Sequence, residues 1–279
     1  MSMMLRMAGT LGSPFQAVGP AGSAPPPPFD PLSLPGLSFY FDASNPDCLL
    51  NASLNPAGNE QVRRVRSIHN LSVYYEQSSA GSRASRVANA KNGLPVLRFG
   101  SDGMFYDAAS GVTNILNNAP AGVLIGVFQR DTTAGLRIAL SFSIPTAGSR
   151  WVSFTSSEVS RNAVDGRRLD SESYTVGAEA LGINFNEYRV ITNALNYSAA
   201  EAFVRVDGVQ EGLNESFATA GNTSATNSFS ARISSVTTSG WRGDMCEFYF
   251  CNQIPSLEQI QAAEAHLQSK WATPALPAP

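Results

Sequence analysis

The sequence predicts an antiparallel β-sandwich with a short C-terminal helix and an extended N-terminal arm. Short apolar runs alternate with Gly, Asn, Ser and Pro, an amphipathic segment follows the last run, and prolines crowd the first residues. The chain has 279 residues, 43% of them hydrophobic, which allows one large β domain or two small ones.

The arm comprises residues 1–36, with a proline run at 25–28. Such a segment cannot build a sheet ladder or a helix, and it favours extended polyproline geometry. We predict a docking arm that lies along a neighbouring subunit, with a plain linker as the alternative. The segment does not resemble a secretory signal, because glycines interrupt it before an apolar stretch of the needed length.

The remaining residues, 37–279, are predicted to form the domain. Runs rich in β-branched and aromatic residues predict strands at 37–42, 71–76, 94–99, 122–128, 135–143, 150–154, 187–195, 201–208, 229–236 and 245–251. Asp207-Gly208 predicts a hairpin turn. The polar stretches 155–186 and 209–228 are either loops or weakly patterned strands.

The stretch 243–271, GDMCEFYFCNQIPSLEQIQAAEAHLQSKW, holds enough reactive residue types to suggest a site. Alternation along a strand predicts one face with Cys246, Phe248 and Phe250, directed at the core, and an opposite face with Met245, Glu247, Tyr249 and Cys251. Asp244 is predicted to be a turn residue, on the opposite side from Glu247. The stretch is therefore interpreted as scaffold.

A helix is predicted near 256–271. Ser256 is a good N-cap, and Gln259 stands at the capping-box position three residues later. Ile260, Ala263, Leu267 and Trp271 share one stripe, so Trp271 is expected to anchor the helix on the sandwich.

The three cysteines, Cys48, Cys246 and Cys251, are too few for a disulfide framework. They are interpreted as packed thiols, and a bridge from Cys48 to Cys246 or Cys251 is the alternative. The formal net charge of −3 and the lack of a basic run argue against nucleic acid and anionic membranes as partners.

Four stretches carry a family resemblance. FYFDASNPD (39–47), NGLPVLRFG (92–100), VRVDG (204–208) and the strand and helix of 243–271 resemble markers of laminin-G-like, concanavalin A-like lectin/glucanase domains. The resemblance implies a jelly-roll sandwich of two curved antiparallel sheets. Its members include carbohydrate-binding modules, glycoside hydrolases and proteins of tailed-bacteriophage particles, so the resemblance does not fix the function.

The arm and the missing signal favour a non-enzymatic structural protein of a tailed-phage virion, as capsid decoration or as a tail fibre or baseplate attachment. It would be made in the host cytoplasm, bind other virion proteins through residues 1–36, and assemble in many copies or as a homo-oligomer. Exposed loops would contact host glycan. A carbohydrate-binding lectin and a polysaccharide-cleaving glycoside hydrolase are the alternatives.

Candidate site residues are few. Hydrolysis with retention needs two carboxyls roughly 5–5.5 Å apart, and Asp170 and Glu172 are the pair whose spacing fits one strand face. Neither histidine lies in a nucleophile or zinc motif, and no cofactor is expected.

The candidate glycan-stacking aromatics, with core packing as their alternative role, are Tyr106, Trp151, Tyr174 and Trp241. Asp42, Asn45 and Asp47 offer oxygens for calcium, with turn formation as the alternative.

Overall fold

The computed structural model describes residues 28–100, 105–107, 112–132, 134–144, 148–156, 160–224, 230–234 and 239–274. The first part of the arm, residues 1–27, therefore lies outside the described residues. In chain order the strands are β1 Leu37–Asp42, β2 Leu49–Leu50, β3 Arg64–Arg66, β4 Tyr74–Glu76, β5 Ser85–Lys91, β6 Leu94–Phe99, β7 Phe105–Asp107, β8 Ala121–Arg130, β9 Leu136–Ile144, β10 Gly148–Ser156, β11 Arg161–Gly166, β12 Thr175–Ala180, β13 Arg189–Asn196, β14 Glu201–Val206, β15 Val209–Asn214, β16 Ser230–Ile233 and β17 Gly243–Cys251. The helix α1 is Leu257–Trp271, and short 3-10 turns occupy Pro31–Ser33, Ala80–Ser82 and Val112–Asn114.

The strands form two antiparallel sheets that pack face to face as a jelly-roll sandwich. Sheet A has eight strands in the order β15-β14-β13-β8-β17-β6-β5, with β1 paired to β17 beside that path. Sheet B has nine, in the order β12-β11-β10-β9-β16-β7-β4-β3-β2. The predicted all-β fold with one C-terminal helix is confirmed.

Strand β17 organises sheet A. One edge pairs with β8 along most of its length, and the other edge pairs first with β6, at 243–245, and then with β1, at 247–251. The ladder with β8 shifts register between Met245 and Glu247, which marks a β-bulge. Because the inter-sheet core covers one face of β17 and the cluster beneath α1 covers the other, all nine β17 residues are buried.

Apolar residues fill two main layers. The larger cluster lies between the sheets and contains Trp151, Trp241, Phe248 and Phe250. Inside it, Phe248 stacks between Phe39 and Phe128, with centroid distances of 5.8 and 6.1 Å. The second cluster lies between the outer face of sheet A and α1 and includes Ile260, Ala263, Leu267 and Trp271, which confirms the predicted helix stripe.

The helix begins and ends as its sequence predicts. Ser256 Oγ accepts the amide of Gln259, and the Gln259 side chain accepts the amide of Ser256, completing the capping box. Ala272 closes the helix in the left-handed region, at φ 45°. Within the described ranges, no helix combines the length and apolar character that a membrane span requires.

The bulge corrects the predicted faces of β17. Phe248 and Phe250 point into the inter-sheet core, and Tyr249 and Cys251 point toward α1, as alternation predicts. Met245 instead joins the inter-sheet core and Cys246 the helix side, so their predicted faces are wrong. The extra residue of a bulge shifts the alternation by one position.

Asp244 is also placed differently from the prediction, because it lies within β17 and is not a turn residue. Its carboxylate binds Arg98 Nε and Nη2 at 2.7 and 2.8 Å and accepts the hydroxyl of Tyr188 at 2.5 Å. Tyr188 packs against the helix-side cluster. Asp244 therefore lies on the helix side of sheet A, as Glu247 does, so the prediction that the two carboxylates lie on opposite sides is wrong.

The three cysteines are free and buried. Cys48 belongs to the inter-sheet cluster, whereas Cys246 and Cys251 belong to the helix-side cluster. Burial raises the pKa of the Cys48 thiol to about 12, with the Asp42 charge adding to the rise against an opposing backbone hydrogen bond. Such thiols are poor nucleophiles, which supports their interpretation as packing residues.

The described end of the arm packs on the domain itself. Leu34 is buried in the helix-side cluster, and Phe29 packs against the same cluster. The Phe29 ring lies 5.5 Å from the His266 ring and 6.1 Å from the Tyr249 ring, between centroids. Gly36 turns the chain into β1 at φ 62°, where an added Cβ would lie 2.5 Å from Asn252 Oδ1.

Candidate carbohydrate-binding face

The outer face of sheet B carries an apolar floor across β9, β10 and β11. Along β10, Trp151 points into the inter-sheet core, and the neighbouring Val152 points outward. Val152 and Phe154 form a separate outer cluster with Ala163 on β11 and Ile138 on β9. This floor lies on the side of sheet B that faces away from sheet A.

A polar and aromatic group surrounds the floor. We name it the Tyr174 face, and its members are Arg161, Asp165, Tyr174 and Glu179. Two residues of this region are exposed to solvent: Tyr174 is 47% exposed, and Val176 is 46% exposed. The Arg161 guanidinium lies 4.8 Å from the centre of the Phe154 ring and 3.1 Å from Glu179 Oε2.

Asp165 is the unusual member of this face. It is only 6% exposed, and its Oδ2 accepts the hydroxyl of Tyr174 at 3.4 Å. Its other oxygen, Oδ1, is buried and makes no hydrogen bond of full geometry among the described residues, although the Gly177 backbone amide also acts on this carboxyl. A buried acceptor that is only partly satisfied costs free energy, so this carboxyl retains the capacity to accept a donor that a ligand brings.

The protonation of Asp165 follows from this placement. Burial raises the pKa of its carboxyl to about 6, against the opposing effects of the Arg161 charge, the Tyr174 hydroxyl and the Gly177 backbone amide, and the nearby Glu179 charge adds to the rise. The same burial, together with the Asp165 charge, raises the pKa of Tyr174, which therefore remains a hydroxyl donor.

The titration of Asp165 should make the unfolding free energy of wild type depend on pH, and the Asp165→Asn variant should lack this dependence. A carboxyl whose folded pKa lies above its unfolded value stabilises the fold below the unfolded pKa, and that stability is lost as the pH rises through about 6. We expect wild type to lose about 2–3 kcal/mol of unfolding free energy between pH 4 and pH 7 from this group, and the variant to lose none of it. Urea unfolding at both pH values measures the difference; parallel curves for the two proteins would contradict it.

The other predicted glycan contacts are placed differently. Trp151 and Trp241 are 0% exposed in the inter-sheet core, so they offer no ring to a ligand, and core packing is their role. Tyr106 lies in β7, paired with Arg232 and Glu76, and its side chain lies outside the described part of the structure. Of the four aromatics, Tyr174 is the one that the described structure presents to solvent.

The predicted acid pair does not share a strand face. Asp170 and Glu172 lie in the loop between β11 and β12, because the chain turns there. Asp170 Oδ1 binds Arg150 Nη2 at 2.7 Å, and Glu172 Oε1 binds Arg168 Nη2 at 2.7 Å. Glu172 also accepts the backbone amides of Arg168 and Leu169. Each carboxylate is thus held by a different arginine.

The predicted calcium oxygens make turn contacts. Asp42 Oδ1 accepts the amide and hydroxyl of Ser44, and Asn45 Oδ1 accepts the amide of Asp47 at 2.9 Å. The second oxygen of Asp42 binds Lys270. Calcium binding by Asp42, Asn45 and Asp47 stays a prediction.

A second set of acidic groups converges beneath α1, where sequence reasoning expected scaffold alone. We name it the helix-side charge cluster, and its members are Tyr40, Asp42, Glu247, Tyr249, Lys270 and Trp271. Asp42 and Glu247 are direct neighbours across β1 and β17, and Lys270 Nζ lies 2.6 and 2.7 Å from their carboxylates. The cluster is largely buried, since the Asp42 and Glu247 side chains are 9% and 0% exposed and the Lys270 side chain is 23% exposed.

A polar cleft of about 240 Å³ opens where the β8–β9, β10–β11 and β12–β13 loops meet. Its lining includes Arg130, Asp131, Asn184 and Asn186, and the aromatic residue in the lining, Phe185, is 5% exposed. The cleft could hold a small polar group, but among its described residues it has no exposed ring on which a sugar could stack.

Comparisons with known proteins bear on the fold. No protein-family model matches the sequence, and no curated protein matches it. Trypanosoma rangeli sialidase in complex with the inhibitor DANA superposes at a TM-score of 0.51 and 12% identity, covering 78% of this chain and 32% of that one. The same sialidase in complex with sialic acid gives 0.50 and 14%, covering 84% and 33%. Ruminococcus gnavus IT-sialidase CBM40 gives 0.49 and 10%, covering 61% and 96%.

These likenesses define a jelly-roll β-sandwich, consistent with the concanavalin A-like resemblance of the sequence. The chain spans about a third of the length of the sialidases it matches. At these identities the likeness concerns the fold alone, so the function has to be argued from the residues of this chain.

Proposed function

We propose that this chain is a carbohydrate-binding, lectin-like domain and that the Tyr174 face is its sugar site. The observation that carries the proposal is the juxtaposition of a half-exposed aromatic residue, Tyr174, with the buried carboxylate of Asp165, whose Oδ1 makes no hydrogen bond of full geometry. A sugar presents C–H groups on the faces of its ring and hydroxyl donors at its edge, so it can satisfy both features at once.

The stacking partner is Tyr174. Its ring is large, rigid and rich in contact area, and its hydroxyl is tied to Asp165 at 3.4 Å, which limits its orientation. Val176 lies two residues further on, in the edge strand β12, and extends the apolar surface. A pyranose ring laid on Tyr174 would remove apolar area of both molecules from water.

The polar partners are Asp165, Arg161 and Glu179. A sugar hydroxyl that reaches Asp165 Oδ1 needs a small displacement of the Tyr174 ring, because that oxygen is closed to solvent without ligand. Such a hydrogen bond to the ionised form is charge-assisted and favours the carboxylate, so affinity should rise as the pH increases through about 6. Arg161 and Glu179, paired at 3.1 Å, supply further donors and acceptors at the rim.

The sialidase structures contain sialic acid or DANA, which are ligands of those proteins. They motivate including acidic sugars among the probes, but the contacts described above apply equally to neutral sugars. A structural role on a phage particle through residues 1–36 stays a separate prediction, because residues 1–27 lie outside the described part.

A glycan array with the full chain tests the proposal. Tyr174→Ala and Asp165→Asn should each weaken binding about tenfold or more, which corresponds to ~1.4 kcal/mol. Tyr74→Ala is the matched control, because this tyrosine lies on another strand of the same sheet and should leave binding unchanged. Thermal melting verifies that each variant folds. No binding of the wild-type chain to any glycan on the array, or binding that both site variants retain, would overturn the proposal.

A further inference from the structure

The helix-side charge cluster places an amine against a carboxyl group in a largely buried site. Lys270 Nζ lies 2.6 Å from Asp42 Oδ2 and 2.7 Å from Glu247 Oε2. The three residues come from α1, β1 and β17, so the tertiary fold brings together groups that are remote in sequence. Reactants held in contact behave as an intramolecular pair, and this lowers the barrier to a reaction that is slow in solution.

We propose that Lys270 and Asp42 condense to form an intramolecular isopeptide bond, with Glu247 transferring the protons. The Lys270 ammonium and the Asp42 carboxylate become an amide and one molecule of water. The new bond joins Nζ to Cγ of Asp42, and the broken bond joins Cγ to the departing oxygen. The step requires no oxidant, reductant or other reactant, and it is independent of sugar binding.

The hydrogen bonds distinguish the roles of the two acids. Asp42 Oδ1 accepts the Ser44 amide at 2.8 Å and the Ser44 hydroxyl at 2.6 Å. These two donors point at the oxygen that gains negative charge when the amine adds to Cγ, as in an oxyanion hole. Asp42 Oδ2 faces Lys270 and is therefore the oxygen that leaves as water.

Glu247 is held as the proton carrier. Its Oε1 accepts the hydroxyls of Tyr249 and Tyr40 at 2.7 and 3.1 Å, and its Oε2 accepts the Trp271 indole N–H at 2.9 Å. These donors fix the carboxylate in place, with Oε2 in contact with the Lys270 amine. A fixed carboxylate at this distance can take a proton from the attacking nitrogen and deliver it to the departing oxygen.

The starting protonation state is an ion pair. Burial lowers the pKa of Lys270, but the Glu247 and Asp42 charges outweigh it, and the net pKa is raised. The Lys270 ammonium must therefore lose a proton before its nitrogen can attack, and Glu247 Oε2, 2.7 Å from Nζ, accepts that proton and passes it to the departing Asp42 Oδ2.

Intact-mass spectrometry of the denatured full chain tests the proposal. Wild type should be lighter than its sequence by the mass of one water molecule, and protease digestion should yield a branched peptide that joins Asp42 to Lys270. The Lys270→Arg and Glu247→Gln variants should show the full sequence mass. This readout is independent of folding energetics, since a merely structural ion pair leaves the mass unchanged.

The chain offers a matched control in Lys91, which is the other of its two lysines. Lys91 Nζ donates to the Ala272 carbonyl at 2.9 Å, so Lys91→Arg should still lose water. A wild-type chain with the full sequence mass overturns the proposal, as does water loss that persists in Lys270→Arg. Water loss that persists in Glu247→Gln overturns the role of Glu247.

Discussion

Replacing Glu247 by alanine is expected to lower the free energy of unfolding by about 3–5 kcal/mol. The side chain is 0% exposed and accepts hydrogen bonds from Tyr40, Tyr249 and Trp271 while it pairs with Lys270. Alanine would leave these donors buried without an acceptor, and each unpaired donor costs about 1–3 kcal/mol. The helix C-terminus would lose its main polar attachment to sheet A.

Urea unfolding of the purified variants measures this effect. Glu215→Ala is the control, since Glu215 is exposed in a turn and should change stability by less than about 0.5 kcal/mol. Lys270→Arg keeps a cation beside Glu247 but cannot form the proposed isopeptide bond. The unfolding free energy that this variant loses therefore reports the cross-link, and the further loss in Glu247→Ala reports the hydrogen bonds to Glu247. A Glu247→Ala protein as stable as the control would show that the buried carboxylate is dispensable.

The Trp151→Ala variant should also lose about 3–5 kcal/mol of unfolding free energy. Trp151 is 0% exposed, its ring edge meets Phe250 at 5.0 Å between centroids, and its indole N–H donates to the Gly122 carbonyl at 3.0 Å. Removing the ring leaves a cavity in the centre of the inter-sheet core and one unpaired carbonyl.

This variant also separates core packing from ligand binding. Tyr174→Ala, whose side chain is half exposed, should lose less stability than Trp151→Ala, about 1–3 kcal/mol from the hydrogen bond to Asp165, while it weakens sugar binding. The two variants should therefore show opposite profiles when melting and glycan binding are compared. Unimpaired stability of Trp151→Ala would contradict its assignment to the core.

Apolar alternation was sufficient to predict the strands that pack by large side chains. The runs at 37–42 and 94–99 coincide with β1 and β6, and the predicted helix begins one residue before α1. Strands β11 and β12, within the stretch left open between loop and strand, pack by Ala163, Ala178 and Ala180. A Cβ added at Gly177 on β12 would lie 2.5 Å from the Leu195 side chain, so the close packing of the sheets there requires glycine. Glycine and alanine have low strand propensity, and these strands therefore give a weak signal in the sequence.

The candidate site was only partly predictable. Tyr174 was selected as an aromatic residue, but its exposure and the burial of Trp151 and Trp241 depend on which face of each strand meets the opposite sheet. Asp165 was missed because its neighbours in sequence, Val164 and Gly166, carry no motif, and its raised pKa arises from tertiary burial. The convergence of Asp42, Glu247 and Lys270 likewise depends on pairing between β1 and β17.

The position of β17 also constrains when the molecule can fold. This strand follows every other described strand in the chain, yet it supplies pairing edges to β8, β6 and β1. During synthesis the eight-stranded sheet would therefore stay divided until the ribosome releases the segment after Gly243, and the earlier strands would expose their edges in the meantime. Nascent chains stopped before that point should be protease-sensitive and dependent on chaperones, whereas release of β17 and α1 should complete the fold in one late, cooperative step.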